Sequence, residues 1–359
     1  MATIYFTPGP AHLYPTVPNH ITEAIKAQIP SISHRSQTFM DIHKLAVDGL
    51  QALLTIPSDY SIFFLSSATE IWERLLQNCV QHTSFHYVNG AFSQRYFTIA
   101  NDLGVSPVKY EVPWGQGFPL DPNEIQAETE MINFTHNETS TGVMLPMQSL
   151  AAYRQAHPAK LITLDMVSSA PYGQPDWKVV DAAYFSVQKC FGLPAGLGVL
   201  ILNDSCLAKA AEKKATGRSI GSYHSFLAQQ EKYVKHQTVE TPNMMGIYLL
   251  GKVVQDMLEI GVDNIRKTIR ERATLLYSLI EKHPLLTVSV TDKKFQSPTV
   301  IVPNLKEGAP SLVDKWKQQG VVVGNGYGKM KGKQLRFANF PSNTDAEFER
   351  LIALLEEDM

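Results

Sequence analysis

What most constrains this chain is the alternation, over its first two hundred residues, of short apolar runs with segments of helical period. Ser61–Leu65 (SIFFL) is rich in β-branched and aromatic residues and predicts a buried strand, and Glu70–Val80 (EIWERLLQNCV) predicts the helix that follows it. Ser84–Val88, Val105–Val112, Met131–Thr135, Lys160–Asp165, Val180–Ser186 and Gly198–Leu202 predict further strands, with helical stretches such as Met147–Ala156 between several of them. Alternation of this kind builds βαβ units, and hence an α/β fold with a mostly parallel sheet covered on both faces. From about residue 244 the texture changes. Met244–Ile260 and Asn264–Lys282 predict long helices, the first with Leu249, Leu250, Val253, Val254, Met257 and Leu258 on its apolar face. Short strands at Leu286–Val290, Thr299–Val302 and Gln334–Ala338 then mix with helices at Pro310–Gln319 and Thr344–Glu356, which reads as a smaller α+β domain.

A length of 359 residues suits this pair: a large domain over 16–245, and a small one formed by 1–15 and 246–359. The formal net charge of −2 supplies no broad basic field, so neither nucleic acid nor an anionic membrane is expected as a partner. Any anionic ligand must be held by a local constellation. Cys79, Cys190 and Cys206 are too few and too scattered for a disulfide framework or a zinc site, which points to a reducing compartment and to no metal. The first residues, MATIYFTPGP, carry no basic region and reach Pro8 before an apolar stretch can develop. The longest clean apolar run, Leu197–Leu202, is far below the roughly 20 residues of a membrane helix. A cytoplasmic protein is expected.

Lys189 follows a strand and precedes a Gly/Pro-rich turn, Gly192-Leu193-Pro194-Ala195-Gly196. Most lysines are solvated surface groups, but this one sits at a strand end, where α/β sheets keep their ligands. Desolvation there lowers an amine's pKa and makes it nucleophilic toward an aldehyde. Asp165 ends the strand before, and serves equally as a loop cap or as the carboxylate that keeps a pyridinium nitrogen protonated. Two consecutive strands ending in Asp and Lys place both groups at one edge of the sheet. Ser66-Ser67-Ala68-Thr69 stands between a strand and a helix, where hydroxyls cap the helix and free N–H groups favour phosphate.

Taken together these residues resemble the class V, fold-type I pyridoxal-phosphate aminotransferases, and most closely the phosphoserine aminotransferases. The resemblance runs from Phe6-Thr7-Pro8-Gly9-Pro10-Ala11 to Leu335-Arg336-Phe337-Ala338, through Ser33-His34-Arg35, Asn137-Glu138-Thr139, Asp165 and Gln188-Lys189. It implies a seven-stranded type of sheet in the large, cofactor-binding domain. It also implies pyridoxal 5′-phosphate, with Lys189 bonded to its aldehyde carbon and moving the substrate proton, and Asp165 on its ring nitrogen. Phe92 would stack on the ring, Thr139 would meet the phenolic oxygen, and Ala68, Thr69 and Gln188 would hold the phosphate. Thr241 would reach that phosphate from a partner subunit, making the active unit a homodimer. Arg336 would clamp the substrate α-carboxylate. His34 and Arg35, again across the interface, would hold the substrate's own phosphate.

Three positions depart from the family pattern. Lys329-Met330-Lys331-Gly332-Lys333 stands where a second His-Arg pair is often found, Glu70 where some members have an arginine, and Glu240 where they have an asparagine. The implied reaction is transfer from glutamate to 3-phosphohydroxypyruvate, giving O-phospho-L-serine and 2-oxoglutarate, a step of serine biosynthesis. The runner-up is a class V enzyme of the alanine–glyoxylate or serine–pyruvate type, and Ser33-His34-Arg35 favours the phosphorylated substrate. Other classes fit less well. A nicotinamide dehydrogenase needs an early Gly-rich fingerprint, whereas the only dense glycine cluster is Gly324–Gly328 with no apolar helix after it. No glycine-rich loop ends in Gly-Lys-Ser/Thr, as a P-loop requires. A non-catalytic binding protein would have no need of both Asp165 and Lys189. A cysteine desulfurase needs a mobile thiol, yet no cysteine follows Cys206, and Cys190 is expected to be a packed small residue.

Overall fold

The computed structural model describes residues 3–307 and 309–359; residues 1, 2 and 308, all within the expected smaller domain, lie outside the described residues. Seven strands form the main sheet, in the spatial order Ser61–Leu65, Gly198–Leu202, Ala182–Ser186, Leu161–Asp165, Met131–Thr135, Ser84–Val88, Val108–Glu111. Six of them run in the same direction, five of these paired side by side in parallel. Gly198–Leu202 is antiparallel to both of its neighbours.

Each of the five-residue strands Ser61–Leu65, Ser84–Val88, Leu161–Asp165, Ala182–Ser186 and Gly198–Leu202 is buried throughout, because side chains alternate between two covered faces. Ile62, Phe64, Ala183, Phe185, Val199 and Ile201 enter one core, packed beneath the helices Gln37–Leu54 and Met244–Ile260. Phe63, Leu65, Ala182, Tyr184, Leu200 and Leu202 enter the other, with Trp72, Leu75 and Leu76 of the helix Ala68–Cys79. Burial of this extent, at about 25 cal/mol per Å² of apolar surface, is what holds the sheet edge rigid enough to carry a site.

A second, four-stranded sheet has the order Ile4–Phe6, Val321–Asn325, Leu335–Ala338, Val300–Ile301. Its core joins Phe6, Leu276, Trp316, Phe337, Leu351 and Leu354, drawn from the sheet and from the helices Val262–Lys282, Pro310–Gln318 and Asp345–Glu357. Ile4–Phe6 pairs in parallel with Val321–Asn325, so the start of the chain is built into this second unit. The chain then crosses the mouth of the large sheet. The Ala11 amide donates to the Gln188 carbonyl at 2.9 Å and the Tyr14 amide to the Gly192 carbonyl at 2.8 Å.

Candidate active site

Asp165 closes the strand Leu161–Asp165 and Lys189 lies just beyond Ala182–Ser186; these strands are parallel neighbours, so both groups stand at one sheet edge. Asp165 is buried and accepts two hydrogen bonds, from Trp72 Nε1 at 3.0 Å and from the Val167 amide at 2.9 Å. Burial pushes its pKa up to about 7 against the opposing pull of those two donors. Lys189 Nζ donates to the Pro8 carbonyl at 2.6 Å. Its pKa is lowered to about 8, first by burial and then by the positive charge of Arg336.

The N-terminal segment lies so close over this amine that only glycine fits. A Cβ at Gly9 would fall 2.1 Å from Lys189 Nζ, and Gly9 has a φ of +147°. Gly192 serves the same end on the other side: its φ is +58°, and a Cβ there would meet the Tyr14 amide nitrogen at 2.6 Å.

Phe92 begins the helix Ala91–Asp102, and its ring centroid lies 5.7 Å from Lys189 Nζ. Glu138 fixes that helix end: its carboxylate, fully buried, accepts from the Ser93 amide and hydroxyl, both at 2.9 Å, and from the Ser140 hydroxyl at 2.6 Å. Next to it the Thr139 hydroxyl donates to Ser168 Oγ at 2.7 Å, which Asn137 Nδ2 also reaches at 2.8 Å. Thr69 is exposed in the first turn of Ala68–Cys79, whose N-cap Ser67 accepts from the Glu70 amide at 3.1 Å. The Ala68 amide is engaged with Ser186 Oγ at 2.8 Å. Gln188 Oε1 is buried with no partner among the described residues.

Arg336 comes from the second sheet. Its Nε donates to the Asn325 carbonyl at 2.7 Å, and its guanidinium carbon lies 5.4 Å from the Tyr327 ring centroid. Tyr327 in turn stands 5.0 Å from the Phe92 ring. Lys189, Phe92, Tyr327 and Arg336 thus form one continuous series from the large sheet to the small one.

His34, Arg35 and Thr241 are joined to one another instead. Thr241 Oγ1 and His34 Nδ1 are 3.3 Å apart, while Arg35 donates to Gln237 Oε1 at 3.0 Å and to the carbonyls of Thr238 and Val239 at 2.7 and 3.1 Å. Desolvation and the neighbouring Arg35 lower the His34 pKa, which Glu240 partly opposes. Of the departing positions, Glu70 turns to the Ser66 amide at 2.9 Å and to His224 Nε2 at 2.7 Å. Lys329 is exposed, with Nζ 5.6 Å from the Trp114 ring centroid.

Trp72, Ser168, Glu138 and Tyr327 are additions to the set read from sequence. Trp72 had a signal, since it lies one helical turn after Thr69. Ser168 follows Asp165 in the same turn. Tyr327 lies inside a glycine cluster, where spacing alone says little.

A cofactor of the pyridoxal type is a stringent test of this arrangement, and the residues fit it. A buried carboxylate with a raised pKa asks for a cationic N–H, an amine with a lowered pKa suits an aldehyde carbon, and a helix N-terminus with an exposed threonine hydroxyl offers donors to a phosphate.

The aminotransferase class-V family pattern matches residues 98–329. A phosphoserine aminotransferase of Nocardioides is 28% identical over 326 residues, covering 89% of this chain and 86% of that protein. The crystal structure of a phosphoserine aminotransferase from Cytophaga hutchinsonii superposes with a TM-score of 0.96 at 46% identity, covering 99% of each chain. A PLP-bound phosphoserine aminotransferase from Trichomonas vaginalis has a TM-score of 0.80 at 17% identity over 98% of this chain and 99% of that one, a likeness of fold alone.

Proposed function

The chain belongs to the class-V aminotransferases, and from that premise we propose that it transfers the amino group of L-glutamate to 3-phosphohydroxypyruvate, yielding O-phospho-L-serine and 2-oxoglutarate. The observation that carries transamination is the pair Asp165 and Lys189 on neighbouring strand ends, one raised toward neutrality and the other lowered toward it. The cofactor is pyridoxal phosphate, which supplies an aldehyde that exchanges amino groups and a ring that withdraws electrons. Asp165 would hold the ring nitrogen, Phe92 would cover the ring, Thr139 would meet the phenolic oxygen, and Thr69, the Gln188 amide N–H and the helix turn that begins at Ala68 would receive the phosphate. Lys189 takes the proton from the substrate Cα and returns it on the far side of the exchange, as its lowered pKa allows near neutral pH. Arg336, a planar fork, takes the α-carboxylate that glutamate and phosphoserine share.

The phosphorylated substrate is supported by the Ser33-His34-Arg35 block and by the likeness to the Cytophaga protein. His34 and Arg35 are both tied to the 237–241 loop that carries Thr241, and the proposed homodimer would deliver all three to the site of the partner subunit. Among the described residues no helix is long and apolar enough to cross a membrane, and action in the cytoplasm is part of the same proposal. The test follows cofactor absorbance in single half-reactions with phosphoserine, glutamate, serine and alanine. Phosphoserine and glutamate are expected to react fastest. Faster reaction with serine or alanine would assign the enzyme to the unphosphorylated, alanine–glyoxylate or serine–pyruvate type.

A further inference from the structure

We propose that Tyr327 is a positioning residue that fixes the carboxylate-binding attitude of Arg336 by closing a run of aromatic contacts between the two sheets. The inference rests on the reading that Arg336 receives the substrate α-carboxylate. Tyr327 stands in a loop between Gly326 and Gly328 and is 41% exposed, an unusual setting for a large aromatic unless neighbours engage its ring. It has two such neighbours: the Phe92 ring at 5.0 Å, tilted by 44°, and the Arg336 guanidinium carbon, 5.4 Å from the ring centroid.

Arg336 has a single protein hydrogen bond among the described residues, from Nε to the Asn325 carbonyl. One bond leaves the terminal nitrogens unengaged and the plane free to turn about that anchor. A ring against the guanidinium removes this freedom before substrate arrives, so less rotational entropy is lost when two parallel hydrogen bonds form. The cation also gains from the ring face, an attraction strengthened in a partly desolvated site. Burial already disfavours the charge of Arg336, and the neighbouring tyrosine opposes that effect. Because Phe92 belongs to the run, the carboxylate clamp on one sheet is registered against the ring-covering residue on the other.

The test compares Tyr327→Ala, Tyr327→Phe, Arg336→Ala and the Tyr327→Ala/Arg336→Ala double variant. Steady-state kinetics are run with glutamate and phosphoserine, and the Kd of glutarate, a dicarboxylate that cannot be transaminated, is measured by titration calorimetry. Tyr327→Ala is expected to raise both KM values and the glutarate Kd together by about 3- to 30-fold, the range of a cation–π contact. It should change kcat less and leave cofactor affinity and thermal midpoint near those of the wild type. Tyr327→Phe should restore most of the loss, because the ring and not the hydroxyl is at work. On the Arg336→Ala background the same change should cost almost nothing further. Unchanged KM and Kd in Tyr327→Ala, an equal defect in Tyr327→Phe, or a full additional loss in the double variant would each overturn the proposal. Should wild type prove inactive on phosphoserine while glutamate and glutarate still respond to Tyr327→Ala, the substrate reading fails and the role of Tyr327 stands.

Discussion

Asp165 and Lys189 sit at strand ends inside the protein, whereas His34, Arg35 and Thr241 sit on exposed or half-exposed loops, and the two regions make use of charge in opposite ways. At the floor of the site, few partners and the loss of solvent displace both ionisations toward neutrality, to about 7 for buried Asp165 and about 8 for partly buried Lys189. Reactivity is created there by withholding water. At the rim, Arg35 is held in place by two backbone carbonyls and one side-chain amide oxygen. In the proposed reading it recognises substrate and takes no part in the reaction. Changes at the floor should therefore abolish chemistry on every substrate, and changes at the rim should sort substrates from one another.

The largest effect is expected at Lys189. Lys189→Ala removes the proton carrier and should lower turnover by about 10²- to 10⁴-fold or more with every amino acid. Cofactor should still be retained through Asp165 and the Thr69 helix end, as absorbance after gel filtration would show. In the wild type, borohydride should fix the pyridoxyl group on Lys189, and peptide mass spectrometry finding it on another lysine would remove this residue from the floor. Asp165→Asn comes next. It keeps the shape but only one of the two acceptor oxygens that meet Trp72 Nε1 and the Val167 amide, and it removes the charge proposed to face the ring nitrogen; breaking a buried ionic pair typically costs about 3–5 kcal/mol. Cofactor affinity should fall by about 10²-fold or more, measured by fluorescence titration of apoenzyme, and near-normal affinity would show that another residue holds the nitrogen.

Arg35→Ala should act on the rim alone. Loss of one charge-assisted contact costs about 1.5–3 kcal/mol, roughly 10- to 150-fold in kcat/KM for phosphoserine. Glutamate, whose distal carboxylate meets the same unit, should lose less, and alanine almost nothing. A uniform loss across all three would erase the distinction between floor and rim.

The same contrast governs what the sequence reveals. Floor residues end or closely follow strands whose apolar pattern is local and strong, so Asp165 and Lys189 follow from reading Lys160–Asp165 and Val180–Ser186. Their supports do not, because they come from afar: Trp72 reaches Asp165 across 93 positions, and the Pro8 carbonyl reaches Lys189 across 181. Strand direction is equally hidden, since a buried run such as Gly198–Leu202 reads identically when parallel or antiparallel. No strand is read at Ile4–Phe6 or Val321–Asn325; these pair with each other across more than 300 residues, and neither run advertises its partner. The expected division after residue 245 falls inside the helix Met244–Ile260, whose Leu249, Leu250 and Val253 belong to the larger core. At the rim only residue identities are legible. That His34, Arg35 and Thr241 are linked appears only when the 237–241 loop folds against His34 and Arg35.

The smallest effect expected is one of pH, and it measures the floor directly. Attack on an aldehyde requires the neutral amine, so the rate at which apoenzyme captures pyridoxal phosphate should follow the unprotonated fraction of Lys189. With a pKa lowered to about 8, that fraction is near one tenth at pH 7 and nine tenths at pH 9, so the rate should rise about tenfold and then level off. A lysine at its ordinary value near 10.4 would instead gain about 100-fold over the same interval with no plateau. The sign of the shift can be checked at its second cause. Arg336→Met removes a positive charge that favours the neutral amine, so the midpoint should move upward, while Arg35→Ala at the rim should leave it in place. A midpoint that responded to Arg35→Ala and ignored Arg336→Met would mean that the amine is tuned by the rim, and the division between a reactive floor and a recognising rim would have to be redrawn.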